Sequence, residues 1–253
     1  MMNITPVVKQ LLILNIIFFI GSQIPSTHAY DLFALYFPES INFRYWQILT
    51  HMFMHAPVPN IMHIAFNMFA LFSFGSALEQ FWGGKKFLFF YISCGIGAAL
   101  LHIGVNYMEF HKTVDLLISS GVKEADIYSL LAEGKYDKDW GRLIGEENLG
   151  NYIGTVAGTV VGASGAIYGL LTAFAFMFPK AELMMMFIPI PIKAKYFVPG
   201  LLVLDLFLGL RGSSIFAAGS TGIAHFAHIG GALTGFIMMW FWKKNQFNHR
   251  RWN

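Results

Sequence analysis

The sequence predicts an all-α polytopic membrane protein: a six-helix bundle with a small helical insert on its outer side, between the third and fourth spans. Three observations lead there. Hydrophobic residues make up 56% of the 253 positions and charged residues only 12%, about half the share usual in a soluble domain. Six apolar stretches approach the length a helix needs to cross a bilayer. The charged residues between those stretches are segregated by sign. Mean hydropathy is accordingly high, at +0.55. The single cysteine, Cys94, has no partner within the chain, so packing and backbone hydrogen bonds must hold the fold. The net charge of +3 is small, and its distribution matters more than its sum; no nucleic-acid partner is expected.

The first span is read over residues 7–25. It also has the outline of a secretory signal, with Lys9, the run LLILNIIFFIG and small residues near Thr27 and Ala29. Its removal would leave five spans and place the chain ends on opposite sides, which the loop charges disfavour. The second and third spans, 60–81 and 86–107, are joined by GGKK with Lys85 and Lys86. Between the fourth and fifth, 152–178 and 195–211, stand Lys180, Lys193 and Lys195 against Glu182. The sixth, 223–242, runs into the tail KKNQFNHRRWN, which has four basic residues and no acid. Segment 108–151, by contrast, holds nine of the fourteen acids against five basic residues.

Lys and Arg are retained on the cytoplasmic side. Both termini and the two basic loops are therefore expected in the cytoplasm, with 26–59, 108–151 and 212–222 facing outward. The expected organisation is one membrane domain over 1–242, the extracytoplasmic insert 108–151 within it, and a basic cytoplasmic tail at 243–253. Within the insert, apolar residues at helical spacing are interrupted by Gly121 and Gly134. They predict two short amphipathic helices, with Leu116, Leu117, Ile118 and Ile127, Leu130, Leu131 turned inward, toward either the membrane surface or the protein.

Ionisable and polar residues inside spans are costly, and so are functional candidates. The second span carries His63 and Asn67, four apart on one helix face. The sixth opens AHFAHIGGALTG, with His225 and His228 three apart, and the fourth carries Ser164 in VVGASGAIYGLL. Singly, each reads as helix packing or a local hydrogen bond. Together they hold the parts of an acyl-transfer site: a hydroxyl nucleophile, a histidine base, and N–H donors for an oxyanion. Gly162, Ala163 and Gly165 would let another helix close on Ser164, and Gly231 with Gly235 forms a GxxxG pair suited to that approach. By the inferred topology all of these positions lie near the outer end of their spans.

These residues resemble those of the rhomboid intramembrane serine proteases. The matching pieces are WQILTHMFMHA at 46–56, HIAFN at 63–67, GASGAIYG at 162–169 and AHIGGALTG at 227–235, in the family's order and on separate spans. The GxSG motif alone is weak in a membrane protein, but joined to HxxxN and AHxxGxxxG it is highly specific. The resemblance implies a Ser–His dyad, with Ser164 as nucleophile and His228 as general base and then acid. It assigns His63, Asn67 and the Ser164 backbone N–H to the oxyanion hole, and Tyr168 to packing against His228. His225, His51 and His55 become supporting or water-binding groups near the outer rim. Implied partners are single-pass transmembrane substrates in the inner membrane, with no cofactor and no metal.

There are departures from the family pattern. Many relatives have Trp-Arg where this chain has Trp46–Gln47, and the 108–151 insert is long. Glu79 matches a family carboxyl group that reads as structural, whereas Asp205 in the fifth span has no reading beyond a helix-to-helix hydrogen bond. The Gly/Ser-rich outer loop 212–222 is expected to act as a movable cap. Two other readings compete. A non-enzymatic relative would have lost the serine or the histidine, and both are present. A metal or proton transporter would draw on His51, His55, His63, His225 and His228, but no Asp or Glu accompanies them at ligand spacing along the sequence.

Overall fold

Pro6 opens the first helix, α1 (Pro6–Ser22), at the position where a missing N–H costs nothing. A computed structural model describes residues 3–185, 188–210 and 224–246. After α1 the chain bends by 104° into Pro25–Phe33, which ends in the short α2 (Ala29–Phe33). A two-residue strand β1 (Leu35–Tyr36) and the short α3 (Gln47–Thr50) complete the outer segment. The next span is α4 (Ile61–Ala70) and α5 (Ser76–Trp82), joined through a π-helical turn at Leu71–Gly75. The left-handed Gly83 (φ 74°) then reverses the chain into α6 (Gly84–Ser119).

At 36 residues, α6 is about 54 Å long, well beyond the roughly 30 Å hydrocarbon core of a bilayer. The third span was expected to end at 107. It continues because Phe110, Val114 and Leu117 keep one buried face at helical spacing. That extension carries the insert, α7 (Glu124–Ala132), α8 (Trp140–Ile144) and α9 (Glu146–Val156). The insert has its own core of Phe110, Leu117, Ile127, Leu131, Trp140 and Tyr152, docked on Phe37 of the outer segment. Phe110 and Tyr152 stack at 5.7 Å. Of the residues expected to face inward, Leu117, Ile127 and Leu131 are buried and Leu130 packs partly on this core, but Leu116 and Ile118 are exposed.

The expected fourth span, 152–178, is not one helix. After α9 comes β2 (Thr159–Val160), and α10 (Ser164–Met177) starts only at the serine. The break has a local cause: Gly158 and Gly162 interrupt the helix, and the β-branched Thr159, Val160 and Val161 favour extended backbone. Strand β2 pairs antiparallel with β1, Leu35 opposite Val160 and Tyr36 opposite Thr159. A hairpin absent from the sequence reading, β3 (Glu182–Met185) and β4 (Ile188–Lys193), leads into α11 (Ala194–Leu210), and α12 (Ala224–Gln246) closes the bundle. The expected cap at 212–222 and the tail beyond 246 lie outside the described residues.

Among the described residues, Ile61–Trp82 and Gly84–Ser119 suffice by length and composition to cross a membrane, and the bent pair from Pro6 to Phe33 adds a third when taken as one span. At 14 residues, α10 is a shorter apolar helix. The central contact is among α6, α10 and α12, whose small residues meet almost backbone to backbone. A Cβ on Gly231 would overlap the Gly165 carbonyl, and one on Gly235 would stand 2.9 Å from Gly169. Gly169 in turn leaves room for Cys94, and Gly97 for Thr234.

The start of α1 is fastened by Glu79, whose carboxyl oxygens accept from the Thr5 hydroxyl and from the backbone N–H groups of Val7 (3.0 Å) and Val8 (2.9 Å). Helix-terminal N–H groups lack intrahelical acceptors, so a side chain from another helix completes this end. Glu79→Ala leaves these donors unpaired, and should lower stability by on the order of 2 kcal/mol or more. Thermal unfolding in detergent checks this; an unchanged midpoint contradicts it.

Candidate active site

Ser164 is the first residue of α10, so its backbone N–H belongs to the helix-initial group that has no intrahelical acceptor. Its Oγ lies 2.9 Å from Nε2 of His228 on α12, within hydrogen-bond distance. The His228 ring is stacked on Tyr168, one helical turn beyond the serine, with centroids 4.3 Å apart and planes 10° from parallel. Both Ser164 and His228 are partly exposed.

Beside them, Gly162 takes φ +130°, a conformation side chains rarely adopt. A Cβ there would stand 3.0 Å from His63 Nε2 and 3.4 Å from Ser164 Oγ. The missing side chain therefore leaves a small space bordered by both groups. The Ala56 backbone N–H donates to His63 Nδ1 at 3.0 Å. With Nδ1 accepting, the proton of a neutral His63 resides on Nε2, which makes that atom a donor toward the space. Asn67 is buried on the same helix, with one amide N–H given to the His63 carbonyl at 2.7 Å.

The outer segment fixes this geometry. The His51 carbonyl accepts the Gly162 N–H at 3.0 Å, and the β1–β2 pair secures the residues just upstream. Gln47 is fully buried. It accepts from the Tyr36 and Arg44 N–H groups at 3.4 and 3.0 Å, and donates to the Asp31 and Asn42 carbonyls, both at 3.1 Å. A neutral amide thus ties together four backbone groups of the outer segment. The Trp46 indole N–H adds a bond to the Leu32 carbonyl at 2.8 Å.

Asp205 on α11 makes the helix-to-helix hydrogen bond that the sequence reading gave it, but its partners on α12 were not foreseen. Its Oδ1 accepts from His225 Nδ1 at 2.5 Å and stands 3.2 Å from His228 Nδ1. His225 and Asp205 are buried at 8% and 5% exposure, and His225 acts as a hydrogen-bonding partner rather than a water-binding group. The signal was present as a lone carboxyl in an apolar span, but no motif linked it to the two histidines. It also corrects the view that no acid accompanies the histidines, since a donor atom from each of the three lies within 4.8 Å of the others. The 2.5 Å separation is that of a hydrogen bond. Two ligands at about 2.0–2.1 Å from one zinc ion stand well over 3 Å apart in a tetrahedral site.

Residues 42–124 and 141–245 match the family model for the rhomboid domain. The chain belongs to the rhomboid family. It is an integral membrane protein, and the stretch between the two matched segments falls in the insert. It is 29% identical over 205 residues to Rhomboid protease AarA of Providencia stuartii, covering 79% of this chain and 56% of the relative. It is 38% identical over 57 residues to Rhomboid protease GluP of Bacillus subtilis, or 22% of this chain and 11% of that protein. Rhomboid protein 1, mitochondrial, of Saccharomyces cerevisiae is 25% identical over 183 residues, 72% of this chain and 38% of the relative. The chain therefore spans about half, or less, of the length of these curated relatives.

In this rhomboid, two histidines of the outer segment make its stability sensitive to acid. Burial pushes His51 down to about 4, and burial with the nearby His63 pushes His55 down to about 3. Unfolded, both titrate near 6.5. The unfolded chain therefore binds more protons below that value, and the stability present above pH ~6.5 is lost as pH falls toward the folded values. Within that window each histidine contributes a slope of about 1.4 kcal/mol per pH unit. The thermal midpoint should be level from pH 8 to 7 and fall from pH 6.5 to 5, less steeply in His51→Asn. A midpoint independent of pH down to 5 contradicts this.

Proposed function

We propose that this chain is an intramembrane serine endopeptidase that cleaves transmembrane segments through Ser164 and His228. The observation that carries the reading is the 2.9 Å contact between Ser164 Oγ and His228 Nε2, made between separate helices beside the space left by Gly162. The names of the relatives, rhomboid proteases among them, support the same activity.

In the proposed reaction, Ser164 Oγ attacks the scissile carbonyl as its proton passes to His228 Nε2. The oxyanion is held by the Ser164 backbone N–H, the His63 Nε2–H and the second amide N–H of Asn67. Collapse transfers the proton from His228 to the leaving amine and leaves an acyl ester on Ser164. Water, deprotonated by His228, attacks that ester in the same space; the second tetrahedral intermediate releases the new carboxyl end and returns the proton to Ser164. Tyr168 holds the imidazole plane. Gly162 leaves the space open, and Gly231 and Gly235 hold α12 against α10.

The substrates are single-pass membrane proteins. Their helices must unwind near the cut, because helical backbone is already hydrogen-bonded and shielded from attack. We place the protein in the cell membrane with six spans, both termini cytoplasmic and the site opening outward. Residues 1–242 act as one domain, with 108–151 as its extracytoplasmic insert and 243–253 as a basic tail. No metal takes part.

Ser164→Ala and His228→Ala should each lower cleavage of a transmembrane reporter in proteoliposomes by at least roughly 10³-fold. Chelators should leave wild-type activity unchanged. Wild-type rates in either variant refute the assignment, and loss of activity on chelation favours a metal at Asp205, His225 and His228.

A further inference from the structure

We propose that Asp205 is a positioning residue for His228, which orients the base of the Ser164–His228 pair through its Nδ1 side. The inference rests on the Ser164–His228 reading above. For His228 to take the serine proton, Nε2 must be unprotonated, which places the proton of the neutral ring on Nδ1. An acceptor facing Nδ1 enforces that tautomer, and Asp205 Oδ1 stands there at 3.2 Å. Stacking on Tyr168 fixes the plane of the imidazole, yet a half-turn about the Cβ–Cγ bond returns the ring to that plane and would keep the stack. Such a turn takes Nδ1 away from Asp205 and Nε2 away from Ser164, so the carboxyl group selects one of the two faces. As the proton arrives, the developing imidazolium lies beside a carboxyl group that is buried with it.

His225 makes this arrangement rigid. Its Nδ1–H bonds the same Oδ1 at 2.5 Å, and its ring stands nearly perpendicular to that of His228, at 86°. A latch between α11 and α12 needs only the His225 bond. The contact to His228 is additional, and lies opposite the nitrogen that faces the serine. One carboxyl oxygen thus joins the fifth span to the general base, and the buried acid in an otherwise apolar helix acquires a chemical role.

The experiment measures kcat and KM in proteoliposomes with a transmembrane reporter, for wild type, Ser164→Ala, Asp205→Asn, Asp205→Glu and His225→Ala, with thermal midpoints alongside. Asp205→Asn keeps the shape but removes the charge and lets an amide N–H favour the wrong tautomer. It should lower kcat by roughly 10²- to 10⁴-fold with KM within about threefold and the midpoint near wild type. Asp205→Glu should recover at least about tenfold of that loss, as expected for a restored acceptor. His225→Ala, which removes the latch but leaves the His228 contact, should retain at least about ten times the kcat of Asp205→Asn. An Asp205→Asn kcat within threefold of wild type while Ser164→Ala is inactive overturns the inference, as do equal losses in Asp205→Asn and His225→Ala. Cleavage by Ser164→Ala would instead overturn the underlying nucleophile assignment, whatever Asp205 does.

Discussion

Lipid tails are as apolar as leucine, so no hydrophobic force presses one membrane helix against another, and close approach has to come from shape. In this protein that approach is the contact of α12 with α10, where Gly231 lies against the Gly165 carbonyl and Gly235 against the backbone of Gly169. Two of these glycines stand beside the Ser164–His228 pair. Gly165 follows Ser164, and Gly231 stands one turn beyond His228 on the same face. The separation of the two backbones therefore sets the separation of hydroxyl and imidazole. Cys94 and Thr234 occupy room left by other glycines of the same three-helix contact, so a side chain added at any of these positions pushes against the whole group.

The outer segment supplies a second constraint. Gln47 gathers four backbone groups, the His51 carbonyl holds the Gly162 N–H, and Ala56 sets the tautomer of His63. These contacts hold the left-handed turn at Gly162, and with it the start of α10. Helix packing thus brings His228 to Ser164, while backbone hydrogen bonds from a loop shape the space beside them. The insert has a separate core and touches this arrangement through Phe37.

Much of this was legible in the residues. Apolar length located the helices, and the glycines around Ser164, Gly231 and Gly235 announced a close crossing. What escaped had physical reasons. The helix break before Ser164 lies inside an apolar run, where hydropathy cannot separate strand from helix. The extension of α6 depends on a buried stripe that serves the insert rather than the membrane. The pairing of Asp205 with His225 and His228 joins residues about twenty positions apart on different helices, and no local spacing encodes it. The histidines of the outer segment read as rim groups because burial of a loop is a property of what folds over it.

The account turns on backbone distance, so its most direct test adds one methyl group at the crossing. Initial cleavage rates in proteoliposomes should be compared for Gly231→Ala and Gly200→Ala, each normalised to folded protein. A Cβ at Gly200 meets open space, whereas one at Gly231 meets the Gly165 carbonyl. Displacing His228 from Ser164 by about 1 Å should cost on the order of 10²-fold in rate, so Gly231→Ala should fall by about that much while Gly200→Ala stays at the wild-type rate. Equal, near-wild-type rates in the two variants would contradict the claim that helix approach sets the catalytic geometry.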